Sequence, residues 1–194
     1  VPVTVKGRKG ETEFAEDETN RPDATAEGLG KLSAAFRDGG TITAGNAPGL
    51  NSAASAMIVA SRKFADQHGL EVAARLVSTG VGAVEPGMFG LGPVTAVGQA
   101  LARAGWDIGD IDRAEINEAF AAIAIALVNK LGLSEDITNV EGGAIAHGHP
   151  IGATGAILTA RLLHAMKRDD IERGLVTLCI GGGQGIALLI EREA

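Results

Sequence analysis

Cysteine is almost missing from this chain. Cys179 is the one thiol among 194 residues, which excludes an internal disulfide and fits a reducing compartment. Positive charge is also in short supply: 17 Lys and Arg stand against 24 Asp and Glu, for a formal charge of −7 and an isoelectric point near 5.1. That balance argues against a nucleic-acid binder, whose affinity comes largely from neutralising phosphates. Any anionic ligand must be met by local positive charge. No apolar run reaches the length of a membrane span and no charged-then-apolar leader opens the sequence, so a soluble, cytoplasmic protein is expected. No tandem repeat or low-complexity tract is present. An initiating Met is absent and VPVTV at Val1–Val5 begins as a strand already under way, which reads as the later part of something longer.

What the chain does have is small and apolar. Hydrophobic residues make up 45% and glycine accounts for 28 of 194 residues, about twice the usual share of glycine. The length allows one or two domains with a buried core. Residues 1 to about 50 are polar and mixed, with a basic turn KGRKG at Lys6–Gly10 and an acidic, exposed run at Glu11–Asn20. A short helix is expected within Thr25–Phe36. Ser52–Ser61 reads as a buried strand and Arg62–His68 as a helix ending at Gly69. From Val72 the pattern alternates. Strands are expected at Arg75–Val81, Ile111–Ile116, Ile137–Val140, Leu175–Ile180 and Gly185–Ile190. Helices are expected at Pro93–Ala104, Phe120–Leu131 and Ile151–Lys167, the last two buried. This βαβαβαββ order predicts an α/β fold with a mostly parallel, five-stranded mixed sheet. In such sheets the site lies beyond the carboxyl ends of the strands.

Three segments deliver chemistry-bearing residues to strand ends: Asn117, His149 and Cys179. The stretch Asn139–Lys167 crowds five glycines, two histidines and a proline into a turn that runs into an apolar helix. Pro150 suits the first helical position, which makes His149 the expected N-cap. There the helix dipole would bias the ring toward its neutral, base-competent form. The alternative is that the glycines merely allow close packing and His149 is a polar cap. Cys179 ends an apolar strand and is followed by Gly181, Gly182 and Gly183, where a sharp turn can present backbone N–H groups to an oxyanion; otherwise it is an inert buried thiol. Asn117 reads either as the N-cap of the next helix, with Glu118 offsetting the dipole, or as an amide that positions a water or carbonyl. His147-x-His149 is not expected to hold a metal, since no nearby residue completes a ligand set. The glycines at 181–185 are not expected to cradle a dinucleotide, because no helix follows them.

Taken together, NEAF at Asn117–Phe120, GGAIAHGHPIGATGA at Gly142–Ala156 and CIGGGQG at Cys179–Gly185 resemble the C-terminal signatures of the thiolase family. GRKG at Gly7–Gly10 and TAGNAPGLN at Thr43–Asn51 match the run-up to them, so the resemblance covers essentially the whole chain. It implies that residues 1–50 are the end of a loop domain, 51–71 the last strand and helix of the N-terminal half, and 72–194 the C-terminal domain. It implies acyl transfer between acyl-CoA molecules, by Claisen condensation or reverse thiolysis, with the nucleophilic cysteine in an absent N-terminal half and this chain alone inactive. On that pattern His149 activates the nucleophile, Cys179 is the acid and base at the α-carbon, Asn117 anchors a water, and the N–H of Gly181 helps hold an oxyanion. Cys179 then needs a near-neutral pKa. CoA or acyl-CoA is the substrate, with no permanently bound cofactor; Arg21, Pro48, Phe89 and Phe120 fall along its groove. Pro48 replaces a serine near pantetheine, Gly28 a serine near the adenine, Phe89 a methionine near the acyl pocket, and His147 an apolar residue. The implied partners are an N-terminal thiolase half and further copies in a homo- or hetero-oligomer, with no nucleic acid and no membrane. The competing expectations are a non-catalytic CoA-binding or assembly subunit of the same fold, and a hydrolase using Cys179 as nucleophile.

Overall fold

The computed structural model describes residues 1–17 and 20–193. Glu18 and Thr19, inside the acidic run, lie outside the described residues. Strands β1 (Val3–Gly7) and β2 (Gly10–Phe14) form an exposed antiparallel hairpin with Arg8 and Lys9 at its tip. Helix α1 (Ala26–Gly30) is a single short turn capped by Thr25; the glycines at 28 and 30 keep it from extending. Helix α2 (Arg62–Gln67) starts at its Ser61 cap and ends before Gly69, whose φ is +58°.

The rest is a layered α/β unit. Its elements are β3 (Ala74–Ala83), α3 (Gly92–Ala104), β4 (Arg113–Ile116), α4 (Ala121–Leu131), α5 (Ala144–His147), α6 (Thr154–Asp169), β5 (Arg173–Cys179) and β6 (Gln184–Arg192). Successive strand residues point to opposite faces. Leu175, Ala187 and Leu189 meet α3 and α4 through Ala96, Val97, Ile123 and Leu127. Val176 and Ile190 meet Leu158, Leu162 and Met166 of α6 on the other face. Both faces are therefore covered, which is why β5 and β6 read as continuous apolar runs. Close approach of α3 requires Gly80 and Gly185, where an added Cβ would stand 1.9 Å from the Ala96 carbonyl oxygen and 2.2 Å from the Gly92 carbonyl carbon.

Several expectations need correction. The sheet has four strands in the order β3-β6-β5-β4, and only β4–β5 is parallel; β3–β6 and β5–β6 are antiparallel. The expected strand at Ile137–Val140 is reduced to a bridge between Thr138 and Ala114. Asn139, at φ +47°, turns the chain there, and its side chain accepts from Ile116 N at 2.8 Å and donates to Ile116 O at 2.9 Å. One amide thus takes the place of a fifth strand's peptide. Ser52–Ser61 forms no strand, and Ile58 and Val59 are exposed; among the described residues no strand pairs with it. Helix α4 buries only the stripe through Ile123 and Leu127 and leaves Ile125 exposed. Helix α6 begins at Thr154 with Ala153 as N-cap, because the Pro150 carbonyl first closes a turn on Ala153 N (2.7 Å) and Thr154 N (3.1 Å). His149 is therefore not the N-cap.

Candidate active site

The turn after Pro150 gives His149 a better-defined place than a cap would. Nδ1 of His149 lies 2.7 Å from Oγ1 of Thr154, a residue 3% exposed. That hydroxyl donates to the Pro150 carbonyl at 3.2 Å, so it serves His149 as an acceptor and fixes the proton on Nδ1. The bare Nε2 accepts from Asn117 Nδ2 at 3.3 Å. Burial lowers the His149 pKa. The bias toward a neutral ring thus comes from desolvation rather than from an N-cap position.

Asn117 continues β4 by one residue, its N–H donating to Thr177 O at 3.0 Å. It is 1% exposed and does not cap α4, whose N-cap is Phe120. Its Oδ1 is buried without a hydrogen-bond partner. Buried amide oxygens are costly unless paired, so this atom is the one in the site with an unmet demand. Glu118 does not serve α4 either. Its carboxylate accepts from Ile145 N at 3.0 Å, at the start of α5, and from Asn139 Nδ2 at 3.2 Å.

Cys179 closes β5, the strand beside β4, at the same carboxyl edge of the sheet as Asn117. It is half-buried and borders the core group that Phe89 and Phe120 also flank. Burial pushes its thiol up, against a smaller opposing backbone hydrogen bond. The resemblance calls for a near-neutral thiol, and burial acts in the opposite direction. Gly181 opens the turn Gly181–Gly183, in which Gly181 and Gly182 are exposed and Gly183 is buried; the first N–H of such a turn has no acceptor within it.

The structure brings Asn117 and His149 into contact and places Cys179 and Gly181 at their sheet edge. It also seats Phe89 and Phe120 edge to face, with ring centroids 6.4 Å apart, and adds Phe36 at 5.8 Å from Phe120. Pro48 is half-buried and Arg21 lies exposed on a turn. The His147 Nε2 donates to the Glu141 carbonyl at 2.8 Å, so this residue closes the turn onto its own backbone.

Sequence reasoning missed Asn46 and Asn51. Asn51 Oδ1 accepts from His149 N at 3.0 Å, Leu50 bridges His149 in parallel, and the Asn46 carbonyl accepts from Ala121 N at 2.9 Å. Their signal was present: two asparagines in a loop of small residues, where a side-chain amide can replace backbone partners. Between residues 50–55 and the turn His149–Ala153 lies a cavity of about 590 Å³, within the usual range for a ligand site.

An imidazole, a carboxamide and a thiol at the carboxyl edge of an α/β sheet are groups that can carry acid–base chemistry. Residues 70–192 match the family model for "Thiolase, C-terminal domain" and residues 1–63 that for "Thiolase, N-terminal domain". The chain belongs to the thiolase family. It is 50% identical over 192 residues to the acetyl-CoA acetyltransferase of Paracoccus denitrificans, covering 99% of this chain and 49% of that protein. The crystal structure of Bacillus anthracis acetyl-CoA acetyltransferase superposes with a TM-score of 0.89 at 43% identity, over 100% of this chain and 49% of that one. Human mitochondrial 3-ketoacyl-CoA thiolase in complex with CoA gives 0.85 at 40% identity, over 94% and 46%. The chain thus spans about half the length of the relatives it matches. Residues 1–63 match the N-terminal domain, so part of that half is represented here, and the expectation that the half is absent does not stand.

Proposed function

We propose that this chain provides the His149, Cys179, Asn117 and Gly181 part of a thiolase site for acyl transfer between acyl-CoA molecules, by Claisen condensation to a 3-ketoacyl-CoA or its thiolysis. The reading is carried by one observation: Asn117 and Thr154 each meet one ring nitrogen of His149 while Asn117 Oδ1 stays buried and unpaired. Nε2 takes the proton of a nucleophilic thiol, and the resulting imidazolium becomes a donor toward the thioester oxygen. Oδ1 of Asn117 holds a water whose second hydrogen meets the enolate. Cys179 moves the proton at the α-carbon, and Gly181 N–H serves the tetrahedral intermediate.

Cys179 is the sole cysteine and is used as the base, so the nucleophile comes from a thiolase segment outside these 194 residues. CoA is substrate, not resident cofactor, and lies along Arg21, Pro48, Phe89 and Phe120. Residues 1–50 belong to the loop domain, 51–71 to the end of the N-terminal half and 72–194 to the C-terminal domain. The working form is an oligomer in the cytoplasm. The test is cleavage of acetoacetyl-CoA by the chain alone and after mixing with a thiolase segment that carries the nucleophilic cysteine. The isolated chain is expected to be silent and the mixture active, with His149→Gln and Cys179→Ser abolishing turnover. A complex that assembles but never turns over identifies a binding subunit instead.

A further inference from the structure

We propose that Arg161 is a positioning residue for His149: its guanidinium ties the Gly142 carbonyl to the buried carboxylate of Glu115, and so sets the His149 turn against the strand end that carries Asn117. The catalytic consequence rests on the acyl-transfer reading above; the geometry does not.

Arg161 donates through one terminal nitrogen to Gly142 O at 2.8 Å, and its other terminal nitrogen stands 3.6 Å from Glu115 Oε2. The Glu115 side chain is 2% exposed and that oxygen accepts no hydrogen bond. Burial pushes the Glu115 carboxyl up, with Arg161 the largest influence drawing it back. Such a pair is a poor source of stability, since two apolar side chains would serve as well. Its location offers a better account. Glu115 lies on β4 two residues before Asn117, and Arg161 lies on α6 seven residues after Thr154, so Thr154 and Arg161 share one face of the helix.

From that face Thr154 holds the ring and Arg161 holds the turn leading to it. The neighbouring groups of the turn are fixed as well. Glu141 O accepts from His147, Gly142 N donates to Asn139 O at 2.8 Å, and Glu118 accepts from Ile145 N. Gly142 adopts φ +81°, which aims its carbonyl at Arg161 in a way a side chain would resist. A planar fork can serve an ion partner and a carbonyl together, whereas an ammonium on a flexible stem cannot reproduce both contacts.

Arg161→Lys and Arg161→Met are compared with wild type by long-range 1H–15N spectra of the chain labelled on histidine nitrogens, thermal unfolding, and kinetics of the reconstituted protein. Lysine keeps a charge near Glu115, so its melting temperature should stay close to wild type. Its His149 signals should nevertheless shift toward mixed tautomers, and kcat should fall on the order of tenfold with KM little changed. Met should show both the ring change and a lower melting temperature. Unaltered His149 signals in a folded Arg161→Lys protein would overturn the proposal, whatever happens to Met. If no reconstituted protein transfers acyl groups, the functional reading fails separately, and the ring spectrum still decides the role of Arg161.

Discussion

Replacing Thr154 by Val isolates the hydroxyl that holds the His149 ring. The side chain is 3% exposed, and its Oγ1 both accepts from Nδ1 at 2.7 Å and donates to Pro150 O at 3.2 Å. Valine preserves the branch and removes both bonds. Leaving the buried Nδ1–H unpaired costs about 1–3 kcal/mol, and a chain of this size loses about 2–4 °C of Tm per kcal/mol. The ring has an escape. If its proton moves to Nε2, it can donate to Asn117 Oδ1 once that amide turns over, and this oxygen is unpaired in the present arrangement. Loss of one net hydrogen bond of about 1 kcal/mol changes the tautomer ratio roughly fivefold. Histidine-selective 15N spectra read that ratio directly, with His149→Gln assigning the signal. Thr154→Ser keeps the hydroxyl and should keep the wild-type tautomer at slightly lower stability. A Val variant whose ring stays protonated on Nδ1 would refute the assignment of the hydroxyl as the fixing group.

Gly148 has φ +93°, and a Cβ there would stand 2.6 Å from the Asn51 side chain, so Gly148→Ala should lower stability by about 1–3 kcal/mol in urea melts. Adding Asn51→Ala should return only the steric part; full recovery would show that the backbone angle carries no strain. Because burial lowers the His149 pKa, the unfolded chain binds its proton first, so stability should fall as pH drops below about 6.5 and level off below the folded value. His149→Gln should flatten that part of the profile, and an unchanged acid slope would place the effect elsewhere. Cys179, pushed up by burial, should alkylate slowly at neutral pH, with a rate that climbs only above the ordinary thiol range of about 8.5. Fast labelling at pH 7 would show a thiolate and overturn the burial argument.

Much of this was legible in the sequence because the relevant distances are short along the chain. The βα order, the Gly105 stop of α3 and the sheet-edge placement of Asn117, His149 and Cys179 follow from local pattern. The expected majority of parallel pairings is not observed, although the sequence carries a sign against it. Only residues 180–183 separate β5 from β6, too few for a parallel crossover, so that pair had to be antiparallel. The helix dipole was invoked for His149 because Pro150 is a good first helical residue; the proline instead offers its carbonyl to Ala153, Thr154 and the Thr154 hydroxyl. The Arg161–Glu115 pair was not legible at all, since an arginine within a helix gives no sign of which strand it faces.

The contacts of Asn46 and Asn51 show why the site cannot be assigned to the C-terminal match alone. Ala121 N and His149 N belong to residues 70–192, yet their acceptors lie within residues 1–63. A helix N-terminus and a tight turn each leave N–H groups that the local chain cannot satisfy. Here a loop from the other family domain satisfies one of each, and Gly148 lets the loop's Asn51 approach the turn closely. The same loop forms one wall of the cavity beside His149. Whatever enters that cavity therefore meets both domains at once, and the Asn51 bond joins the loop to the His149 main chain rather than to its ring.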